Sequence, residues 1–82
     1  MYLDEVKTIL TDVLSLGESG RRLDADSPLL GSLPELDSMA VVSLIGALED
    51  HFDIEVADDD ISASTFETLG SLAAFVAHKR GE

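Results

Sequence analysis

The chain has 82 residues, enough for one domain around one hydrophobic core and too few for a second domain or a deep catalytic cleft. Its 17 acidic residues against 5 basic ones give a net charge of -12, which excludes phosphate-backbone recognition, since that requires clustered Lys and Arg. No cysteine is present to form a disulfide or a thiolate metal site, and only Tyr2, Phe52, Phe66 and Phe75 are aromatic, so the core falls to Leu, Ile, Val and Ala, as suits packed helices.

At the start of the chain Leu3, Val6, Ile9, Leu10, Val13 and Leu14 recur at three- and four-residue steps, which predicts an amphipathic helix from Leu3 to Leu16 stopped at Gly17. A long connection then runs to Leu36, polar around Gly20-Arg21-Arg22 and apolar in patches beyond. A loop of that length in so small a domain has to pack, so Leu23, Leu29, Leu30, Leu33 and Leu36 are expected to fold down onto the helices. Ser27-Pro28 is read as the cap of a short turn, and Gly31 and Pro34 break any longer helix.

Asp37 is a good N-cap, and Val41, Leu44, Ile45, Leu48 and Phe52 form the inward stripe of a second helix from Ser38 to Phe52. Asp53-Ile54-Glu55-Val56 is a connector, followed by a one-turn helix at Asp58-Asp59-Asp60-Ile61 opened by acids that suit a helix N-terminus. Ser64 or Thr65 is expected to cap a last helix with the stripe Phe66, Leu69, Leu72, Ala73 and Val76; Gly70 weakens it, and Lys79-Arg80 complement its C-terminal dipole. Strand-type alternation is sustained nowhere. The expected fold is all-α, one domain over residues 1–82: a four-helix bundle of three long helices and one short one, with a long loop between the first and second.

The bases Lys7, Arg21, Arg22, Lys79 and Arg80 lie near the two ends, so the stretch from Leu23 to His78 holds 12 acids and no Lys or Arg. Such a surface steers basic partners toward it, with solubility alone as an open alternative. No apolar run approaches the roughly 20 residues that cross a bilayer. Met1-Tyr2-Leu3-Asp4-Glu5 lacks the basic region and apolar stretch of a signal peptide, so a cytoplasmic setting with no membrane span is expected.

Metal and catalytic motifs are hard to find. Asp58-Asp59-Asp60 lacks the alternating ligands, glycine and terminal Glu of an EF-hand, and His51 and His78 have no HExxH-type spacing, so no built metal site is expected. No serine sits in a Gly-x-Ser-x-Gly elbow, and no Gly-rich loop with a Lys is present, so an intrinsic enzyme is not expected. What remains is Glu35-Leu36-Asp37-Ser38-Met39. Ser38 falls in the first turn of a helix, where the hydroxyl is exposed and the free N–H groups favour an attached anion such as a phosphate. Asp37 beside it is placed to position a metal or accept a proton in an incoming enzyme's site. Taken alone, Asp37-Ser38 reads more simply as an N-cap pair.

Leu36-Asp37-Ser38-Met39 leading into Leu44-Ile45-Gly46-Ala47-Leu48-Glu49-Asp50-His51-Phe52 resembles the acyl carrier protein family. The resemblance extends over nearly the whole chain, through Leu16-Gly17, Asp26-Ser27-Pro28-Leu29 and Thr68-Leu69-Gly70-Ser71-Leu72. The family's Asp-Ser-Leu signature reads Asp37-Ser38-Met39 here, a volume-conserving change. The resemblance implies that Ser38, flanked by Asp37, receives 4'-phosphopantetheine from coenzyme A through a phosphopantetheinyl transferase. It further implies a thiol-ended arm bearing acyl thioesters for lipid or polyketide-type biosynthesis, and acyl chains that fold back among Leu, Ile and Val of the core. Expected partners are the transferase and acyl-loading and acyl-processing enzymes, met by a monomeric carrier through Met39, Val42, Gly46, Glu49, Asp50 and Asp53. Two and five residues after the serine, where carriers of fatty acid synthesis resemble Asp and Glu, this chain has Ala40 and Ser43, which points to a specialised carrier. A peptidyl or aminoacyl carrier and an unmodified helical adaptor remain the alternatives.

Overall fold

The computed structural model describes residues 2–29 and 33–81. Among the described residues four α-helices follow in order: α1 Leu3–Leu14, α2 Glu18–Arg21, α3 Ser38–Phe52 and α4 Leu69–Lys79, with 3-10 turns at Asp58–Asp60 and Ala63–Phe66 between α3 and α4. The expected all-α bundle of three long helices and one short one is what forms. The short α-helix, however, lies in the first connection, and the acidic segment expected to supply it makes only a 3-10 turn.

The start of α1 meets the ends of α3 and α4. Tyr2 and Phe52 rings stand edge to face at 5.3 Å. Arg80 donates from one guanidinium nitrogen to the Phe52 carbonyl at 2.6 Å and from Nε to the Tyr2 hydroxyl at 3.1 Å. The residue expected to complement the dipole of α4 therefore also caps α3, and α1 runs antiparallel to both partners. Between the three long helices, Val6, Leu10, Leu44, Leu48, Leu69, Leu72 and Val76 are almost wholly buried. Each lies on the apolar stripe of its own helix, and this burial is the main source of stability.

α1 ends at Leu14, two residues before the expected last residue Leu16, because Ser15 turns left-handed (φ 53) and Leu16 is tucked into the core. The loop packs as expected, with Leu29 and Leu36 buried and Leu23 and Leu33 half-buried; Leu30 and Gly31 lie outside the described residues. The short turn expected after Ser27-Pro28 falls mostly outside the described residues, and across it Leu33 N–H donates to Leu29 O at 3.0 Å. The backbone of residues 25–29 is paired with the entry to α4: Leu29 N–H donates to Glu67 O at 3.1 Å, Leu69 N–H to Ser27 O at 3.0 Å and Gly70 N–H to Ala25 O at 2.8 Å. A side chain at Gly70 would stand 2.8 Å from that Ala25 carbonyl, so the glycine permits this close approach. The cap of α4 is Thr68, not Ser64 or Thr65: Thr68 Oγ1 accepts from Ser71 N–H at 3.0 Å and Ser71 Oγ accepts from Thr68 N–H at 3.0 Å. This reciprocal box satisfies two amides at the helix start, and Ser62 and Thr65 form a similar one around the preceding 3-10 turn.

Candidate functional site

The chain enters α3 under tight control. Leu36 is buried, and two short backbone bonds, Leu36 N–H to Leu33 O at 3.0 Å and Asp37 N–H to Glu35 O at 3.1 Å, fold the segment beneath it. Asp37 is extended (φ -104, ψ -176), so its carboxylate swings over the helix end and accepts from Ala40 N–H at 2.8 Å, while its carbonyl takes Val41 N–H at 2.9 Å. Ser38, the next residue and the first of α3, is exposed. Burying Leu36 and capping with Asp37 together hold the Ser38 hydroxyl outward on a rigid helix end.

This end suits a phosphate ester. The amides of Ser38 and Met39 have no hydrogen-bond partner among the described residues, and the first turn of α3 carries no acid. Unpaired amides and the positive end of the helix dipole both stabilise an anion there. The one adjacent carboxylate, Asp37, already accepts from Ala40, which lowers its repulsion of a second anion.

The remaining expected site residues share the outward side of α3 with one exception. Met39 is 77% exposed and Val42 68%, and they are the large hydrophobic residues most open to water among those described. Gly46, Asp50 and Asp53 follow at three- and four-residue steps and are also exposed, Asp53 as the left-handed residue (φ 55) ending the helix. Glu49 departs from the expected partner face: it is half-buried, and its Oε2 accepts from Val56 N–H at 2.9 Å, fastening the connector after α3. Ser43 is exposed, whereas Ala40 is half-buried and packs against the core. His51 is exposed and meets Phe52 edge to face at 4.7 Å; His78 is exposed too. Among the described residues no three His, Cys, Asp or Glu are grouped to hold a metal ion.

Asp60 Oδ2 accepts from Lys79 Nζ at 2.7 Å and from Ala57 N–H at 3.0 Å. Those two bonds, Lys79 first, hold the Asp60 carboxyl below its ordinary value. The sequence carried no signal of this pairing, because Asp60 and Lys79 are brought together only by the return of α4.

Residues 4–76 match the family model described as the phosphopantetheine attachment site. The chain belongs to the acyl carrier protein family. It is 33% identical over 73 residues to an acyl carrier protein of Clostridium perfringens, covering 89% of this chain and 90% of that one. It is 30% identical over 79 residues to one of Chlamydia felis, covering 96% and 95%. A solution structure of a holo acyl carrier protein from Nitrosomonas europaea superposes with a TM-score of 0.92 at 61% identity, over 100% of this chain and 99% of that one. The covalent 4'-phosphopantetheine of the family supplies the thiol on which acyl groups are held as thioesters, which is how a carrier without cysteine performs this task. Among the described residues no helix is long and apolar enough to cross a membrane.

Proposed function

We propose that Ser38 is the residue of this carrier that bears the phosphopantetheine arm, and that the chain itself catalyses nothing. The observation that carries the assignment is the exposed serine at a capped helix start, in the register Asp37-Ser38-Met39. Attachment forms a bond from Ser38 Oγ to the phosphorus nearest the pantetheine in coenzyme A. The pyrophosphate bond of coenzyme A breaks, adenosine 3',5'-bisphosphate leaves, and the serine proton passes to a base of the transferase. In that encounter this chain's own residues present and orient. Asp37 holds the first turn, the Ser38 and Met39 amides face the new phosphodiester, and the leucines beneath keep the helix end from yielding.

The 82 residues act as one domain, a cytoplasmic monomer that moves between a phosphopantetheinyl transferase and enzymes that load and process acyl groups. The curated relatives are acyl carriers, which favours acyl over aminoacyl cargo, and the neutral Ala40 and Ser43 favour a dedicated pathway.

Intact mass after incubation with coenzyme A and a broad-specificity transferase tests the assignment. The parent gains one phosphopantetheine, and Ser38→Ala folds with the same helical signal and gains none. Modification that persists in Ser38→Ala, or that maps by peptide mass to Ser32 or Ser43, overturns it. Loading assays on the modified parent then separate acyl from aminoacyl cargo, and a parent that is never modified marks an adaptor.

A further inference from the structure

We propose that Gly46 is a docking notch for the enzyme that loads the arm, where an apolar side chain of that phosphopantetheinyl transferase lies against the bare backbone of α3 next to Val42. This rests on the assignment of Ser38.

The first observation is that the fold does not need this glycine. Gly17 and Gly81 sit at positive φ (59 and 85), a Cβ at Gly20 would collide with the Thr11 side chain, and one at Gly70 would meet the Ala25 carbonyl. Gly46 lies inside α3 with a right-handed backbone, and a Cβ built there meets nothing within 4 Å. Glycine weakens a helix interior relative to alanine, so a helix that keeps one without an internal reason gains nothing from it in the free protein.

The second observation is where the gap lies. Gly46 is eight residues beyond Ser38, roughly 12 Å along the helix, on the same exposed side as Met39 and Val42. The transferase must cover the start of α3 to reach the Ser38 hydroxyl. A partner footprint of about 800 Å² is a disc of about 16 Å radius, so it takes in Gly46 as well. The chemistry of the occupant follows from charge. In a chain of net charge -12, Ser38 to Ala47 carries no ionisable side chain; Glu49 beyond it is bound to Val56, and the exposed Asp50 stands one turn past Gly46 on the side away from Val42. A cation has nothing to pair with along these ten residues, whereas a Leu, Met or Phe side chain would bury itself between Val42 and the Gly46 backbone.

Four proteins decide it: the parent, Gly46→Ala, Gly46→Leu, and Ala74→Leu, which adds the same bulk at an exposed position of α4. Melting temperature is read beside kcat and KM for arm loading by the host's own transferase with coenzyme A. Gly46→Ala should melt above the parent, because nothing surrounds the added methyl. KM should rise about threefold for Gly46→Ala and about tenfold or more for Gly46→Leu, with kcat little changed, as expected when binding alone is lost. Ala74→Leu should load like the parent. A Gly46→Leu KM at or below the parent's, or a Gly46→Ala that melts lower, overturns the notch. A parent that gains no arm at Ser38 removes both proposals, whereas a parent that loads beside indifferent Gly46 variants removes this one alone.

Discussion

At Asp37 one side chain performs two separable tasks. Its Oδ1 caps Ala40 N–H at 2.8 Å, and its negative charge stands next to Ser38, the proposed attachment residue. Asp37→Ala removes both and should destabilise the fold by about 0.5–2 kcal/mol, the usual cost of a lost N-cap. Asp37→Asn keeps a capping oxygen and should unfold near the parent in urea, so any loss of arm loading in that variant reports the charge alone. If Asp37→Asn unfolds as early as Asp37→Ala, the cap geometry here is not what holds the helix start. The neutral pair Ala40 and Ser43 supplies a second test. A rim ion pair contributes about 0.2–1 kcal/mol, so Ala40→Asp with Ser43→Glu should lower KM toward Arg- and Lys-lined fatty acid synthase enzymes by about 2- to 30-fold while impairing the carrier's own pathway. Ser43 accounts for more of that gain, since Ala40 is half-buried. Equal elongation rates for modified parent and double variant at matched salt would remove the main support for a specialised carrier.

At the scale of elements, the connection between α3 and α4 is held by carboxylates more than by regular structure. Glu49 takes the Val56 amide, and Asp60 takes both Ala57 N–H and the Lys79 ammonium. Asp60→Ala should therefore speed hydrogen exchange at Ala57 by about three- to tenfold, and Lys79→Met by less, since a surface ion pair contributes little. The pH dependence has a definite sign. The Asp60 carboxyl is depressed in the fold, so its contribution is complete above the ordinary aspartate value and is lost as pH falls through the lower, folded value. The exchange difference between parent and Asp60→Ala should thus be full at neutral pH and close only in acid, and unchanged Ala57 protection in the variant would show that the strap does not hold. These contacts also mark the limit of what could be read from the chain. α3 was legible at both ends because its cap and its apolar period agree, and the Asp37-Ser38 site follows from that same cap. α2 was not, since Glu18–Arg21 has no apolar period, follows Gly17 and contains Gly20, and both glycines read as breakers. The pairing of residues 25–29 with 67–70 and the turning aside of Glu49 depend on partners far away in sequence, which local periodicity cannot reveal.

Across the whole molecule, the -12 charge sits on a body only 31 × 25 × 21 Å across. Between described residues one ion pair forms, Lys79 with Asp60, so most of the carboxylates face one another through solvent. Screening decides how much this matters. At about 0.01 M ionic strength the Debye length is roughly 30 Å, close to the long axis, and every acid repels every other; at about 0.15 M it is roughly 8 Å and only neighbours interact. The unfolded chain spreads the same charge over a larger volume, so repulsion at low salt opposes the compact state. Melting temperature should rise by on the order of 5 °C as sodium chloride goes from about 0.01 to 0.15 M and level off beyond, since about 1 kcal/mol moves a domain of this size by 4–8 °C. Magnesium chloride at equal ionic strength should raise it further, because divalent ions gather more strongly at a dense negative surface. A melting temperature independent of salt over that range would mean that the acids are dispersed well enough for repulsion to cost the fold nothing.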